Sequence, residues 1–213
     1  MAVCVKICGL SSPETLSAAL DAGADMVGFV FFEKSPRHIE PAQAAHLAAS
    51  IRGRAEKVAL IVNASDARFA EIVAALDPDW LQLHGAETPE RTREIRQKFG
   101  RPVIKALGVA DHADLLRTQD FLDVADRLLF DAKPPKNAVL PGGNGLSFDW
   151  TLLQNYAGPA NWMLSGGLTP ENVAEAIRLT RAPGVDVSSG VEDAPGVKSA
   201  EKIHAFIKAA RAA

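Results

Sequence analysis

The feature that most constrains this chain is a regular alternation of apolar runs with segments of helical periodicity, repeated from one end to the other. Uninterrupted apolar runs are typical of parallel strands, because helices cover both faces of a parallel sheet. The eight runs that qualify as strands are 3–8, 26–31, 58–62, 80–83, 103–107, 128–131, 162–164 and 185–187. The sequence therefore predicts an α/β protein of eight strand-helix units.

Local signals mark the helix ends in these units. Three predicted helices begin with a capping hydroxyl, a proline in the first turn and an acid near the positive end of the helix dipole: Ser12-Pro13-Glu14, Thr88-Pro89-Glu90 and Thr169-Pro170-Glu171. Gly23, Gly53 and Gly100 are predicted to end helices. The helical pattern is weakest in 110–121, where the residues are polar and only loosely periodic.

Eight strand-helix units can form a closed barrel or an open doubly wound sheet. An open dinucleotide-binding sheet needs a glycine-rich turn after its first strand, whereas this turn is Cys8-Gly9-Leu10-Ser11 and the glycine pairs come late. Late glycines fit a barrel, whose phosphate site is commonly built by the loops after strands seven and eight. We predict a single-domain (β/α)8 TIM barrel spanning 1–213, with the long connection 133–147 acting as a lid.

Composition indicates what kind of partner the protein binds and in which cellular compartment it works. The 26 acidic and 23 basic side chains are spread along the chain and give a net charge of -3, so no basic stripe predicts nucleic-acid binding. No signal peptide or membrane span is evident, which predicts a cytoplasmic protein that binds small molecules. Cys4 and Cys8 are expected to be free thiols, because Cα atoms four residues apart on a strand are roughly 13 Å apart.

Polar residues follow or end five of the predicted strands, and in a barrel this C-terminal rim carries the catalytic groups. They are Cys8, Gln82, His84, Asp131, Ser165-Gly166-Gly167, Asp186 and Ser188-Ser189-Gly190. A lone cysteine or histidine at such a place is more often structural. The functional interpretation therefore depends on the set as a whole.

Side-chain alternation predicts which of these groups face the barrel interior. On the first strand Lys6 and Cys8 share one face, and on the fourth strand Gln82 and His84 do. Strands one and eight are neighbours in a closed barrel, so Asp186 is the expected partner of a buried Lys6. Lys6 could instead have a purely structural role.

Two glycine-containing loops predict a phosphate site. Gly166 and Gly167 precede a predicted helix, Ser189 and Gly190 follow strand eight, and such backbone can approach an anion closely. Two ordinary turns are the alternative. Arg37, in the loop after strand two, suits a carboxylate because its guanidinium can bind both oxygens. The alternative is a solvent-exposed loop arginine that binds no ligand.

With these residues in view, the whole chain resembles the phosphoribosylanthranilate isomerase family of tryptophan biosynthesis. The motifs that carry the resemblance are Lys6-Ile7-Cys8-Gly9, Ser35-Pro36-Arg37, Gln82-Leu83-His84-Gly85, Phe130-Asp131, Gly142-Gly143 with Gly145, Phe148-Asp149-Trp150, Ser165-Gly166-Gly167-Leu168, Pro170-Glu171-Asn172-Val173 and the run from Asp186 to Glu192. Asn144 and Ser165 depart from residues common in the family. Neither position is expected to transfer protons.

The resemblance implies a cofactor-free Amadori rearrangement of N-(5-phosphoribosyl)anthranilate. We also expect no metal, because no cluster of His, Cys and carboxylate residues has the spacing of metal ligands. The resemblance makes Cys8 the general base and Asp131 the general acid, with Arg37 on the anthranilate carboxylate. Gln82, His84 and Asp186 are expected to bind the substrate, and Gly166, Gly167, Ser189 and Gly190 its phosphate. Lys6 is expected to favour the Cys8 thiolate.

Two alternatives remain open at this level. One is the related isomerase of histidine biosynthesis, which runs the same rearrangement on a larger bis-phosphate, or a relative that accepts both substrates. The histidine-pathway enzyme has an aspartate where this chain has Cys8. A non-catalytic barrel that binds a phosphorylated metabolite would not need the acid and base pair. The oligomeric state is not predicted.

Overall fold

The computed structural model describes residues 2–135, 138, 140–143, 145–154, 156, 158 and 161–213. Its eight main strands are all parallel and close into a barrel in chain order, with the first strand paired to the eighth. They are β1 Cys4–Cys8, β2 Met26–Phe31, β3 Glu56–Ile61, β4 Trp80–Leu83, β5 Val103–Val109, β6 Arg127–Ala132, β7 Trp162–Leu164 and β8 Gly184–Val187. The predicted barrel is confirmed.

Helices connect most of the successive barrel strands, and the last helix follows β8. They are α1 Pro13–Asp21, α2 Pro41–Ala48, α3 Asp66–Leu76, α4 Pro89–Phe99, α5 His112–Leu116, α6 Val173–Thr180 and α7 Ala200–Arg211. The weakly periodic segment after β5 forms only the short α5 and a 3₁₀ turn, Arg117–Phe121. Among the described residues after β6, a 3₁₀ turn at Trp150–Leu153 takes the place of a helix. A short antiparallel hairpin, β9 Glu192–Ala194 and β10 Val197–Lys198, follows β8 and was not predicted.

Two of the three predicted helix starts are confirmed. Ser12 and Thr88 are N-caps, and their side-chain oxygens accept from the backbone N–H of Thr15 and Arg91. The third prediction was wrong, because α6 begins at Val173 and not beside Thr169. Asn172 Oδ1 instead accepts from the Thr169 N–H at 2.7 Å, which holds the intervening residues in a separate turn.

Of the three glycines predicted to end helices, two do so and one does not. Gly100 is the left-handed C-cap of α4, and Gly23, with φ of 84°, follows the last residues of α1. The prediction for Gly53 was wrong, since α2 already ends at Ala48. Gly53 has φ of 76°, so it serves a later turn of the same connection.

Alternating side chains divide the buried residues into two cores. Val5 and Ile7 of β1 pack with the helices in the larger cluster. Six fully or largely buried residues fill the lower barrel interior: Met26, Val58, Ile104, Ala106, Leu129 and Met163. The described part of the chain has no helix long and apolar enough to cross a bilayer. Apolar packing thus fills the N-terminal end of the barrel and leaves the C-terminal rim to polar groups.

Candidate active site

A cleft opens at the C-terminal rim of the barrel. Predicted site residues that line it are Cys8, Arg37, His84, Asp131, Gly166, Gly167, Asp186, Ser189 and Gly190. Gln82 is fully buried and does not line the cleft. The structure therefore brings together the residues that were predicted from different strands, with Gln82 set behind them.

On one side of the cleft, Lys6 and Asp186 form a buried ion pair. Lys6 Nζ lies 2.6 Å from Asp186 Oδ1, and the two side chains are 0% and 5% exposed. Lys6 and Asp186 are register partners on the neighbouring strands β1 and β8, which is the contact that the sequence predicted. Ser165 Oγ lies 3.4 Å from Asp186 Oδ2. Asp186 is thus engaged by protein groups.

The environment of Cys8 works against its ionisation. Burial raises the pKa of the Cys8 thiol, and the nearby Asp186 carboxylate raises it as well. The Lys6 ammonium lowers it, and Lys198 does so more weakly, but the net pKa stays above its usual value. Burial lowers the Lys6 pKa, but the charges of Asp186 and Cys8 and the hydrogen bonds to both together raise it above its usual value. Lys6 therefore favours the thiolate, as expected, without offsetting the cost of burial.

Gly28 makes room for this group of side chains. It is the register partner of Cys8 on β2, and a Cβ added there would lie 2.9 Å from Cys8 Sγ and 3.2 Å from Lys6 Nζ. Gly28 was not among the predicted site residues. A glycine within an otherwise apolar strand is a signal of close approach that could have identified it.

A chain of hydrogen bonds on β4 reaches the predicted acid. His84 Nε2 lies 3.2 Å from Asp131 Oδ2, and His84 Nδ1 lies 2.9 Å from Gln82 Nε2. The other Asp131 oxygen, Oδ1, accepts from the Ala132 N–H at 2.8 Å. Gln82 contacts His84, so it can act on the cleft only through that histidine.

Arg37 is held by a carboxylate from the far end of the chain. Its Nε and Nη2 donate to the two oxygens of Glu192 at 2.7 and 2.8 Å, and Nη2 also donates to the Gly143 carbonyl at 3.1 Å. The Nε edge of the guanidinium is therefore already occupied. Both protons of Nη2 are engaged as well, by Glu192 and Gly143, so among the described residues Nη1 is the nitrogen without an acceptor that can meet a ligand.

Glu192 is bound in turn by Lys198, which lies on the β9–β10 hairpin. Lys198 Nζ is 2.5 Å from Glu192 Oε1, and their side chains are 1% and 4% exposed. Burial opposes ionisation of Glu192, but Arg37 and Lys198 outweigh it and lower the Glu192 pKa. Burial, and secondarily Arg37, lowers the Lys198 pKa against the effect of Glu192. Glu192 appeared in the sequence analysis only within a motif, and Lys198 not at all.

The two glycine loops expose backbone that a side chain would obstruct. Gly166 and Gly167 have φ of 82° and 69°, a region that favours glycine. A Cβ added at Gly190 would lie 1.8 Å from the Leu168 carbonyl oxygen. Because α6 starts only at Val173, its N-terminus is farther from the glycine pair than the sequence suggested.

The predicted lid lies over this cleft in its described part, while 136, 137, 139 and Asn144 lie outside the described residues. A Cβ added at Gly142 would lie 2.4 Å from Asp131 Oδ2 and 2.5 Å from His84 Nε2. At the end of the predicted lid, Ser147 packs against Gly167, where an added Cβ would lie 2.6 Å from Ser147 Cβ. Within the described ranges, no three His, Cys, Asp or Glu side chains are grouped as metal ligands would be.

The structure is a closed parallel barrel, and one cleft at its C-terminal rim is lined by an acid, a thiol and two glycine loops. These features are typical of (β/α)8 barrel enzymes that act on small phosphorylated molecules. The family model described as N-(5'phosphoribosyl)anthranilate (PRA) isomerase matches residues 5–209. This chain belongs to that family.

Individual relatives agree with this assignment. The N-(5'-phosphoribosyl)anthranilate isomerase of Nitrobacter winogradskyi is 60% identical over 100% of this chain and 95% of its own. That of Rhodopseudomonas palustris is 59% identical over 100% and 97%. The crystal structure of phosphoribosyl anthranilate isomerase from Thermotoga maritima is 37% identical, covers 99% of this chain and 100% of its own, and has a TM-score of 0.88.

One similar solved structure was determined with a ligand. It is a phosphoribosyl anthranilate isomerase in complex with reduced 1-(o-carboxyphenylamino)-1-deoxyribulose 5-phosphate, and it is 35% identical with a TM-score of 0.85, covering 99% of this chain and 100% of its own.

Proposed function

We propose that this chain catalyses the Amadori rearrangement of N-(5'-phosphoribosyl)anthranilate to 1-(2-carboxyphenylamino)-1-deoxyribulose 5-phosphate in tryptophan biosynthesis, by general acid and base catalysis. Family membership supports the reaction. The observation that carries the mechanism is the cleft itself, which places the Asp131 carboxyl and the Cys8 thiol around one space with the two glycine loops.

Asp131 is the general acid in this proposal. It protonates the ring oxygen of the ribose, and the C1–O bond breaks to give an open-chain Schiff base with a free 4-hydroxyl group. The His84 and Ala132 contacts hold one carboxyl oxygen each, so the orientation of the carboxyl group is fixed before substrate arrives. Gln82 is a positioning residue here, because its contact with His84 Nδ1 fixes the imidazole ring.

Cys8 is the general base. Its thiolate removes the proton from C2 of the Schiff base, which gives an enolamine, and the enolamine becomes the ketose product as C1 gains a proton and the C2 hydroxyl loses one. Because burial raises the Cys8 pKa, the thiolate is a minor species at neutral pH in the free enzyme. Lys6 is the nearby charge that favours it.

The remaining groups hold the two ends of the substrate. The glycine loops after β7 and β8 offer backbone N–H groups to the phosphate, with Ser189 beside them. Arg37 Nη1 receives the anthranilate carboxylate, while Glu192 and Gly143 hold Nε and Nη2. The ligand in the related complex has a carboxyphenylamino group at one end and a phosphate at the other, which fits a carboxylate site at Arg37 and a phosphate site at the glycine loops. Asp186 contributes through Lys6.

The proposal includes a cytoplasmic enzyme of one domain, 1–213, that needs no metal or organic cofactor. Free cysteines are typical of a reducing compartment, and Cys4 and Cys8 are both free. Strands from the two ends of the chain, β1 and β8, pair to close one barrel, which supports one domain.

The direct test follows the fluorescence of the anthranilate adduct. Freshly prepared N-(5'-phosphoribosyl)anthranilate is mixed with purified protein, and we expect a rapid loss of the signal that scales with enzyme concentration. The bis-phosphate substrate of the histidine-pathway isomerase is the comparison, and we expect no turnover of it. Tight binding without turnover of either compound would favour a non-catalytic barrel and contradict the proposal.

A further inference from the structure

We infer that Glu192 and Lys198 are positioning residues that, with Arg37, form a buried charge cluster tuned to bind the carboxylate of the substrate. This inference rests on the proposed role of Arg37. Glu192 orients the guanidinium, and Lys198 gives the cluster the positive charge that an anion requires. We call these three side chains the Arg37 cluster.

The orientation follows from the hydrogen bonds of Arg37. Glu192 accepts from Nε and from Nη2, a two-point contact that fixes the plane of the guanidinium. Within the described residues, the only other acceptor from this group is the Gly143 carbonyl, bonded to Nη2. Nη1 lies on the side of Gly143, where an added Cβ would be 2.7 Å away. Nη1, which has no acceptor among the described residues, therefore faces the segment that covers the cleft.

Charge explains why Lys198 is needed. Arg37 and Glu192 alone sum to zero, and a neutral pair gives little attraction to a carboxylate. Lys198 adds one positive charge at 2.5 Å from Glu192, so the cluster carries a net charge of +1. Arg37, Glu192 and Lys198 side chains are only 7%, 4% and 1% exposed, so water and salt screen this charge weakly.

Among the described residues, the other charges near the Arg37 cluster are already paired. Lys202 donates to the Glu192 backbone carbonyl, but its side chain is 44% exposed and paired with Asp193. Lys6 and Asp186 already neutralise each other. The positive charge of the Arg37 cluster is therefore available to a ligand.

Lys198 also contacts the loop proposed to bind phosphate. Its Nζ donates to the carbonyl oxygen and to Oγ of Ser188, at 3.0 and 3.2 Å. The β9–β10 hairpin is fixed on the Arg37 side as well, because Gly196 N–H donates to Glu192 Oε2 and a Cβ at Gly196 would lie 2.5 Å from the Pro36 carbonyl oxygen. One hairpin thus supports the loops for both ends of the substrate.

Stability alone does not account for such a cluster. Three buried charged groups lose their hydration on folding, and well-packed apolar side chains of similar size are often as stabilising. Burial lowers the Lys198 pKa, which illustrates that cost. A role in anion binding supplies the reason for keeping the charges buried.

The test compares two ligands that differ only in the carboxylate. One is reduced 1-(o-carboxyphenylamino)-1-deoxyribulose 5-phosphate, and the other is the phenylamino compound without the carboxyl group. Calorimetry on the purified full chain gives the Kd of each. We expect Lys198→Met to weaken the carboxylated ligand by about fivefold to a hundredfold relative to the carboxyl-free ligand. Lys202→Met is the matched control and leaves the ratio of the two Kd values within about twofold of wild type.

Glu192→Gln separates orientation from charge. This change raises the formal charge of the Arg37 cluster to +2 but removes half of the two-point contact. We expect weaker binding of the carboxylated ligand, with partial recovery in Glu192→Asp. Tighter binding in Glu192→Gln would overturn the orienting role.

The Arg37→Met variant separates failure of this inference from failure of the proposed function. If Arg37→Met weakens both ligands equally, Arg37 does not bind the carboxylate and the inference falls with that role. If Arg37→Met is selective while Lys198→Met and Glu192→Gln keep the wild-type ratio, only the inference is overturned. Should a single variant fail to fold, the double variant Glu192→Gln/Lys198→Met restores the net charge of +1. It is expected to bind the carboxylated ligand more weakly than wild type, and an unchanged ratio overturns the inference.

Discussion

The two ends of the barrel interior use the same strands for different purposes. At the N-terminal end, Leu129, Ile104 and Val58 are fully buried in an apolar layer with two methionines. Arg127 closes this end with its guanidinium 4.7 Å from the centre of the Trp80 ring and its Nε bonded to Asn161. At the C-terminal rim, the same interior holds Lys6, Asp186 and the His84–Asp131 pair.

The comparison is sharpest within β1. Cys4 and Cys8 lie on the same strand, yet Cys4 is near Arg127 at the closed end and Cys8 lines the cleft beside Lys6. Apolar packing at one end stabilises the fold, and the charges at the other end reduce that gain because each must be paired. Stability and chemistry are thus separated along one strand direction.

Replacing each cysteine in turn gives the largest expected contrast. Cys8→Ala should lower kcat/KM by roughly a hundredfold to ten-thousandfold, as removal of a general base usually does, while Cys4→Ala should be close to wild type. Steady-state kinetics on both variants is the measurement. Similar, mild losses in the two variants would show that Cys8 is structural.

Leu129→Ala tests the other end of the barrel. Removing a fully buried leucine should lower the free energy of unfolding by about 2–5 kcal/mol, because it leaves a cavity in the closed layer. Denaturant unfolding gives this value. Below the unfolding transition, kcat/KM should match wild type. A large loss of kcat/KM in folded protein would mean that the two ends are not separate.

The electrostatics of the rim predict a smaller, pH-dependent effect. The proposed mechanism needs the Cys8 thiolate and the protonated Asp131 carboxyl at the same time, so kcat/KM should be bell-shaped in pH. Burial raises the Cys8 pKa and Lys6 lowers it, so Lys6→Met should raise this pKa further, leave less thiolate and lower the maximum of the kcat/KM profile. Initial rates across pH test this. An unchanged or higher maximum would contradict the role of Lys6.

The smallest expected effect is that of a chelator. Since we propose proton transfer by side chains alone, kcat/KM should be unchanged after treatment with a strong chelator and dialysis. Activity that is lost on treatment and restored by one added metal ion would argue for a metal-dependent step.

Several features of the fold and site followed from the sequence. The period of the apolar runs predicted eight parallel strands, and the late glycines favoured closure. Closure makes β1 and β8 neighbours, so the pairing of Lys6 with Asp186 could be predicted although the two are far apart in the chain. Alternation along β1 and β4 also put Cys8 and His84 on the cleft side.

Other features depended on contacts that no local pattern encodes. The side chain of Asn172 delays the start of α6, and the turn through Gly53 follows an earlier end of α2. The order of the hydrogen bonds from Gln82 to Asp131 depends on the distances between strands. Local propensity is a weak guide where a long-range side-chain contact determines the boundary.

The barrel, its strand order and the side chains that face its interior could be predicted from the amino-acid sequence, because they follow from periodicity and chain connectivity. How the charges are shared depends on tertiary contacts. Arg37 meets Glu192, 155 positions later in the chain, and both are tied to Lys198 by a hairpin that the sequence did not predict. Burial likewise sets the direction of the Cys8 pKa. Such effects depend on distance and solvent exposure, which exist only once the chain has folded.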